Sequence, residues 1–204
     1  MGTDHPAVLI ATIAASIVVA RWWWDDRRAA GRAEARPHPL PGATAAPVRA
    51  HLIGAAGALV VLAIETAGEH ALGVAAAQTK MTVLFAAYTL AAAFLEELIF
   101  RGYLVVTSRG RAGLVAGAVA ASVAFGLLHP FLWSWGDGGL QLHGTSKAWW
   151  STMMAVLGSL WFYAVRFMPA NPARSLLPCI TAHAAKNLGV FVVKLGEGHV
   201  TGWW

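Results

Sequence analysis

Cysteine is almost missing from this chain. Cys179 is the single example in 204 residues, which excludes an intrachain disulfide and a cysteine-rich zinc site. Charge is also scarce. Charged residues make up 12% of the sequence against 57% hydrophobic ones, a balance too apolar for an ordinary soluble domain. There is no H-E-x-x-H and no Gly-x-Ser-Gly, so the standard zincin helix and a rhomboid-type serine site lack support. No internal repeat of the kind transporters show is visible. The first residues have no basic n-region. The first apolar stretch ends in Trp-Trp-Trp-Asp-Asp rather than at a small-residue cleavage site, so it is expected to be retained. Pro6 stands where a myristoylation signal needs Ser or Thr.

What is present is long apolar runs. Six are countable, at roughly 6–24, 51–68, 81–104, 113–132, 148–167 and 176–195. Each is near the ~20 residues that span hydrocarbon. Their length and lack of period-2 alternation favour helices over a barrel. The expected fold is therefore all-α, a polytopic integral membrane bundle of about six transmembrane helices. Residues 1–50 read as a first transmembrane helix followed by an Arg-rich linker, with Pro37, Pro39, Pro41 and Pro47 punctuating it. Residues 51–204 read as the core. The second run is interrupted by Glu65, Glu69 and His70, and clustered glycines at 136–139 suggest a flexible loop.

Arginine sets the expected orientation. Loops 21–49, 105–112 and 166–175 hold nearly all of it and fall on one side of a six-helix arrangement; the opposite loops carry Lys80 and Lys147. The positive-inside rule makes the arginine side cytoplasmic and places both termini outside. The net charge of +5 thus follows membrane topology and calls for no nucleic acid. The Ala-, Arg- and Trp-rich composition points to a prokaryotic cell membrane.

Within the apolar runs lie a few polar residues. Glu96 and Glu97 follow an uncharged stretch from Met81 to Leu95, and Arg101 comes four residues after Glu97. Acid before base at i, i+4 is the favourable helical ion pair, and Glu96 points about 100° away from Glu97. The spacing predicts a Glu97 held charged by Arg101 and a Glu96 left for proton chemistry. Ionisable groups at bilayer depth are costly and mark function by default. His129 ends another run one turn after Phe125, and His183 and Asn187 share a helix face four residues apart. Each has a plain alternative: a His-Pro helix stop, polar glue between helices, or a structural ion pair. Together, an acid, two imidazoles and an amide donor are the parts of a hydrolytic site.

The motifs Glu96-Glu97-x-x-x-Arg101, Phe125-x-x-x-His129 and His183-x-x-x-Asn187 resemble, in order and approximate spacing, those of the CPBP family. This family groups type II CAAX prenyl endopeptidases with bacteriocin-processing and self-immunity (ABI) proteins. The resemblance spans roughly 80–195. It implies an intramembrane endopeptidase of glutamic type, acting on a peptide or protein cleaved close to the bilayer and needing no cofactor. By it, Glu96 and His129 activate water and His183 and Asn187 stabilise the oxyanion, with Glu97, Arg101 and Phe125 in support.

Other readings compete. Glu and His side chains could ligate zinc, the less favoured alternative. Cys179 lies four residues before His183, as a cysteine protease would use it, although a lone buried cysteine is more often a small hydrophobe. A membrane immunity or binding protein, or a proton-coupled transporter, would keep the same polar residues for other ends. One count fits poorly. Measured from the Arg109–Arg111 loop, Glu96 and His129 differ in depth by roughly 7–8 Å at 1.5 Å per residue.

Overall fold

The computed structural model describes residues 5–34, 36–136 and 138–204. The opening residues 1–4, on which the leader and lipidation readings rest, and Asp137 of the glycine cluster lie outside these. Among the described residues the chain forms six long helices and one hairpin: α1 (Pro6–Gly31), α2 (Val48–Ala71), α3 (Val83–Glu97), α4 (Gly110–Leu128), β1 (Trp133–Gly136), β2 (Gly139–Leu142), α5 (Ser146–Phe167) and α6 (Leu177–Gly196). The fold is the expected all-α membrane bundle. Four of the helices are long and apolar enough to cross a membrane by length and composition: α1, α2, α4 and α3 with its continuation to Tyr103.

α1 runs past the tryptophans expected to end it. Pro6 at its start lacks an N–H that no helix position would bond anyway, and the last turn carries Arg28 where a cation meets the carbonyl end. The Pro-rich segment that follows is docked rather than free. Trp23 Nε1 donates to the Pro41 carbonyl (3.0 Å), and the Leu40 N–H to Asp26 (2.8 Å). The Leu176 N–H reaches the Gly42 carbonyl (3.0 Å). Trp23, Ala43, Phe94, Leu98 and Leu176 close into one apolar cluster. Gly42 has φ +62°, and a Cβ there would sit 2.7 Å from Leu176 Cγ and 2.9 Å from the Arg166 guanidinium. Both the left-handed backbone and the space demand glycine.

α2 packs along α6 and α5, and α1 along α3. The acids that interrupted the second run are all partnered. Glu65 pairs with Lys186 of α6 (2.7 Å), and Glu69 with Lys147 at the start of α5 and with Gln78. Trp150 Nε1 adds a bond to the Glu65 carbonyl (3.0 Å). The C-terminal residues fold back on the start of α3. The Val83 and Leu84 N–H groups donate to Gly202 (3.1 Å) and Trp203 (2.9 Å), which satisfies donors that a helix start leaves orphaned.

Around the glycine cluster at 136–139, expected as a flexible loop, residues 133–136 and 139–142 pair as an antiparallel hairpin, Trp133 with Leu142 and Gly136 with Gly139. In the sequence, Asp137-Gly138 is a short-range hairpin signal.

α3 does not end at Glu97. It widens into a π-helical turn over Leu98–Tyr103, a form that appears mostly as a single turn and is frequent at functional sites. Such a turn disturbs the carbonyl ladder, and α5 supplies partners. The Tyr163 hydroxyl lies 2.6 Å from the Phe100 carbonyl and 3.0 Å from that of Leu104. Arg166 Nε donates to the Arg101 carbonyl at 3.2 Å. Residues 104–109 then run back beside α4. A Cβ on Gly117 would meet Val106 Cγ2 at 3.0 Å, so Val106 lies about two turns into α4 rather than at its foot.

Candidate active site

The return of 104–109 along α4 removes the depth mismatch between Glu96 and His129. The sequence count assumed that both helices start from one level turn. Instead Phe100 meets Phe125 edge-on, with ring centroids 5.0 Å apart. Val106 beside Gly117 shows that the two segments run in opposite directions. One turn back from Phe100 is Glu96, and one turn on from Phe125 is His129. The two therefore stand at a common level.

At the centre, Glu97 and Arg101 are both 0% exposed and paired at 3.1 Å, as their spacing predicts. Arg101 Nη2 also donates to the Ser159 carbonyl (2.9 Å) and hydroxyl (2.5 Å), and that hydroxyl donates to Ser122 (3.0 Å). Four rings surround the guanidinium: Phe125 and Tyr163 at 5.0 Å, Phe162 at 5.1 Å and Phe100 at 5.7 Å. A cation over ring faces gains attraction, more so when desolvated. The cage thus offsets part of the cost of burying the ion.

His183 joins Glu97 to Glu96. Its Nδ1 lies 2.8 Å from Glu97 Oε1, the oxygen that also receives Arg101. A carboxylate only accepts, so Nδ1 carries the proton and Nε2 is left to face outward. Nε2 lies 3.7 Å from Glu96 Oε2. The Glu96 side chain is 32% exposed, so the two adjacent acids occupy opposite environments. The imidazole stacks on Phe162 with centroids 4.7 Å apart.

His129 has the same pattern. Its Nδ1 donates to the Phe125 carbonyl at 2.7 Å, which again leaves Nε2 uncommitted. Its ring lies 4.5 Å from Phe125 and 5.6 Å from Phe131, and Phe125 lies 6.1 Å from His183. One phenyl ring thus separates the two imidazoles. His129 makes no direct contact with either glutamate among the described residues. Asn187 Nδ2 donates to the Thr89 carbonyl at 3.0 Å. A helical carbonyl points at the amide four residues on, so this contact is level with Ala93, one turn below Glu97. One amide hydrogen of Asn187 remains free of it.

Glu96, Glu97, Arg101, Phe125 and His183 therefore form one contact cluster. His129 joins it through Phe125, and Asn187 flanks it on α6. Ser122, Ser159, Phe162 and Tyr163 were not anticipated. Serines inside apolar helices signal polar contacts between helices, and this was the available clue for the first two. Cys179 is fully buried with Sγ 3.4 Å from the Phe162 carbonyl. His183, four residues on, turns to the glutamates instead. No three His, Cys, Asp or Glu side chains converge as a metal cage among the described residues.

A multi-pass membrane bundle with a buried acid–imidazole cluster at the junction of four helices defines a membrane-embedded protein built around a polar site. Residues 78–189 match a family model described as Type II CAAX prenyl endopeptidase Rce1-like. The match covers just over half of the chain, and the chain belongs to that family, which is one of proteases. No curated protein and no solved structure matches it.

Proposed function

We propose that this protein is an intramembrane endopeptidase of glutamic type in which Glu96 is the general base. The carrying observation is the 3.7 Å approach of Glu96 Oε2 to His183 Nε2 at the open edge of the sealed Glu97–Arg101 pair. Glu96 takes a proton from a water held between it and His129 Nε2, and the water oxygen attacks the scissile carbonyl. His183, doubly protonated with Nδ1–H on Glu97 and Nε2–H toward the substrate, and Asn187, through its free amide hydrogen, donate to the oxyanion. Such donors are each worth about 2.7–4 kcal/mol in the transition state. As the tetrahedral intermediate collapses, the C–N bond breaks and Glu96 passes its proton to the leaving amine. Glu97 fixes the His183 ring through Nδ1, and Arg101 holds Glu97.

The reaction needs no metal in this reading. The substrate is a peptide or protein with its scissile bond near the bilayer surface, such as a C-terminal tail or a leader. The arginine-rich loops face the cytoplasm and both termini face outward. The test is incubation of purified protein with three peptide classes: a prenylated C-terminal tail, a leader peptide and a C-terminal sorting tail. Products are read by mass. Cleavage at one bond in one class supports the proposal. Intact peptides in all three, with protein shown to be folded, would count for a binding or immunity role.

A further inference from the structure

A crevice with two arginines in its wall lies away from the catalytic cluster, at the arginine-rich end of α1. It holds about 270 Å³ and is lined by Arg27, Arg28, Ala30, Gly31, Thr44 and Ala45. Nothing in the proposed reaction uses it. We propose that this crevice binds the phosphate of an anionic phospholipid headgroup.

The charge there is unbalanced. Two of the three nearby acids are engaged elsewhere: Asp26 with Arg36 (3.0 Å) and the Leu40 N–H, and Glu34 with Arg32 (2.6 Å). Asp25 makes no ion pair among the described residues, and neither Arg27 nor Arg28 has a carboxylate partner there. Arg27 Nε is closed off from solvent with no acceptor among the described residues. A buried donor left unpaired is costly, and a phosphate oxygen is the acceptor that a guanidinium fork fits best. The small side chains of Ala30, Gly31 and Ala45 leave room for a tetrahedral group.

The end of α1 would repel an anion through its exposed carbonyls, but those carbonyls are covered. The Arg32 N–H bonds Ala29 O (3.0 Å), the Ala33 N–H bonds Ala30 O (3.2 Å), and the Glu34 N–H also reaches Ala29 O (3.0 Å). α2 begins at Val48, three residues past the crevice wall, with no side-chain cap on its first N–H groups. Its positive end adds to the field.

A lipid is favoured over a soluble phosphate by the outer face of α1. Ile10, Ala14, Ile17, Arg21, Trp24 and Arg28 form one exposed stripe at helical spacing. Its apolar part offers acyl chains a surface that leads to the crevice. Trp24 stands where tryptophan marks a membrane interface, and the Arg27 and Arg28 guanidinium carbons lie 4.5 and 5.9 Å from its ring. Basic pockets between membrane helices are a known setting for anionic headgroups.

The experiment counts bound lipid on the full-length chain by native mass spectrometry during titration with phosphatidylglycerol or phosphatidylcholine in mixed micelles. It compares the wild type, Arg27→Gln/Arg28→Gln, and a charge-matched control, Arg109→Gln/Arg111→Gln. Phosphatidylglycerol affinity should fall roughly thirtyfold in the first variant and change little in the control. Phosphatidylcholine should not discriminate, and excess inorganic phosphate should not displace the lipid. Equal losses in the two double variants would overturn the site in favour of general charge. Displacement by free phosphate would overturn the lipid assignment. If the double variant does not fold, Arg28→Gln alone carries the test with an expected loss of about fivefold; an unchanged affinity would overturn the proposal.

Discussion

His183 Nδ1 and Glu97 Oε1 are 2.8 Å apart, and the same oxygen receives Arg101 at 3.1 Å. One buried carboxylate thereby fixes an imidazole through its Nδ1 and neutralises a guanidinium. Arg101→Ala should cost about 3–5 kcal/mol, because it strands Glu97 without a cation and empties the centre of four rings. Glu97→Gln should cost less in packing but releases His183. Thermal melting in detergent checks both. Two variants as stable as the wild type would show that the pair carries no structural weight.

Asn187 is expected to act chiefly in the transition state. Asn187→Ala should lower kcat by about a hundredfold or more with a smaller change in KM. The loss of its bond to the Thr89 carbonyl should cost only about 0.5–1.5 kcal/mol of stability, so a melting curve separates the two effects. A raised KM with kcat retained would make Asn187 a group that binds substrate.

Much of the site was legible because membrane helices leave few polar residues to choose from. Glu97 and Arg101 were readable as a pair from spacing alone, and His183 and Asn187 as one face. The level match of Glu96 and His129 was not readable. It depends on the π turn at 98–103 and on Val106 lying back against Gly117, neither of which has a local sequence signature. The cage of Phe100, Phe125, Phe162 and Tyr163 was hidden for a different reason. Aromatic residues in an apolar run look like core until a cation is placed among them. The Pro-rich segment read as a linker by composition, yet Gly42, Trp23 and Leu176 tie it to the bundle through tertiary contacts that composition does not encode. Lys186 and Glu65 pair across 121 residues of sequence, a separation that no helical spacing encodes.

Glycines seat the tryptophans that join α2 to α5. A Cβ on Gly68 would overlap Trp150 Cζ2, whereas one on Gly144 meets nothing within 4 Å. Gly68→Ala should destabilise the protein by about 1–3 kcal/mol through this overlap and disturb the Trp150 bond to Glu65. Gly144→Ala should be near neutral. Equal melting temperatures for the two variants would mean that the ring moves aside freely.

The reaction should be independent of bound metal. Purified active protein is expected to carry less than stoichiometric zinc and to keep its activity after treatment with a chelator. Activity lost to the chelator and restored by zinc would turn Glu96 and the histidines into ligands.

The most direct test of the central claim is turnover by Glu96→Gln. Glu96 is partly exposed and, among the described residues, makes no ion pair other than its 3.7 Å approach to His183, so the variant should fold and melt like the wild type. Its rate of cleavage of a membrane-anchored peptide, measured with purified protein free of contaminating proteases, should fall to background. Full activity in that variant would remove Glu96 from the chemistry and contradict the glutamic mechanism.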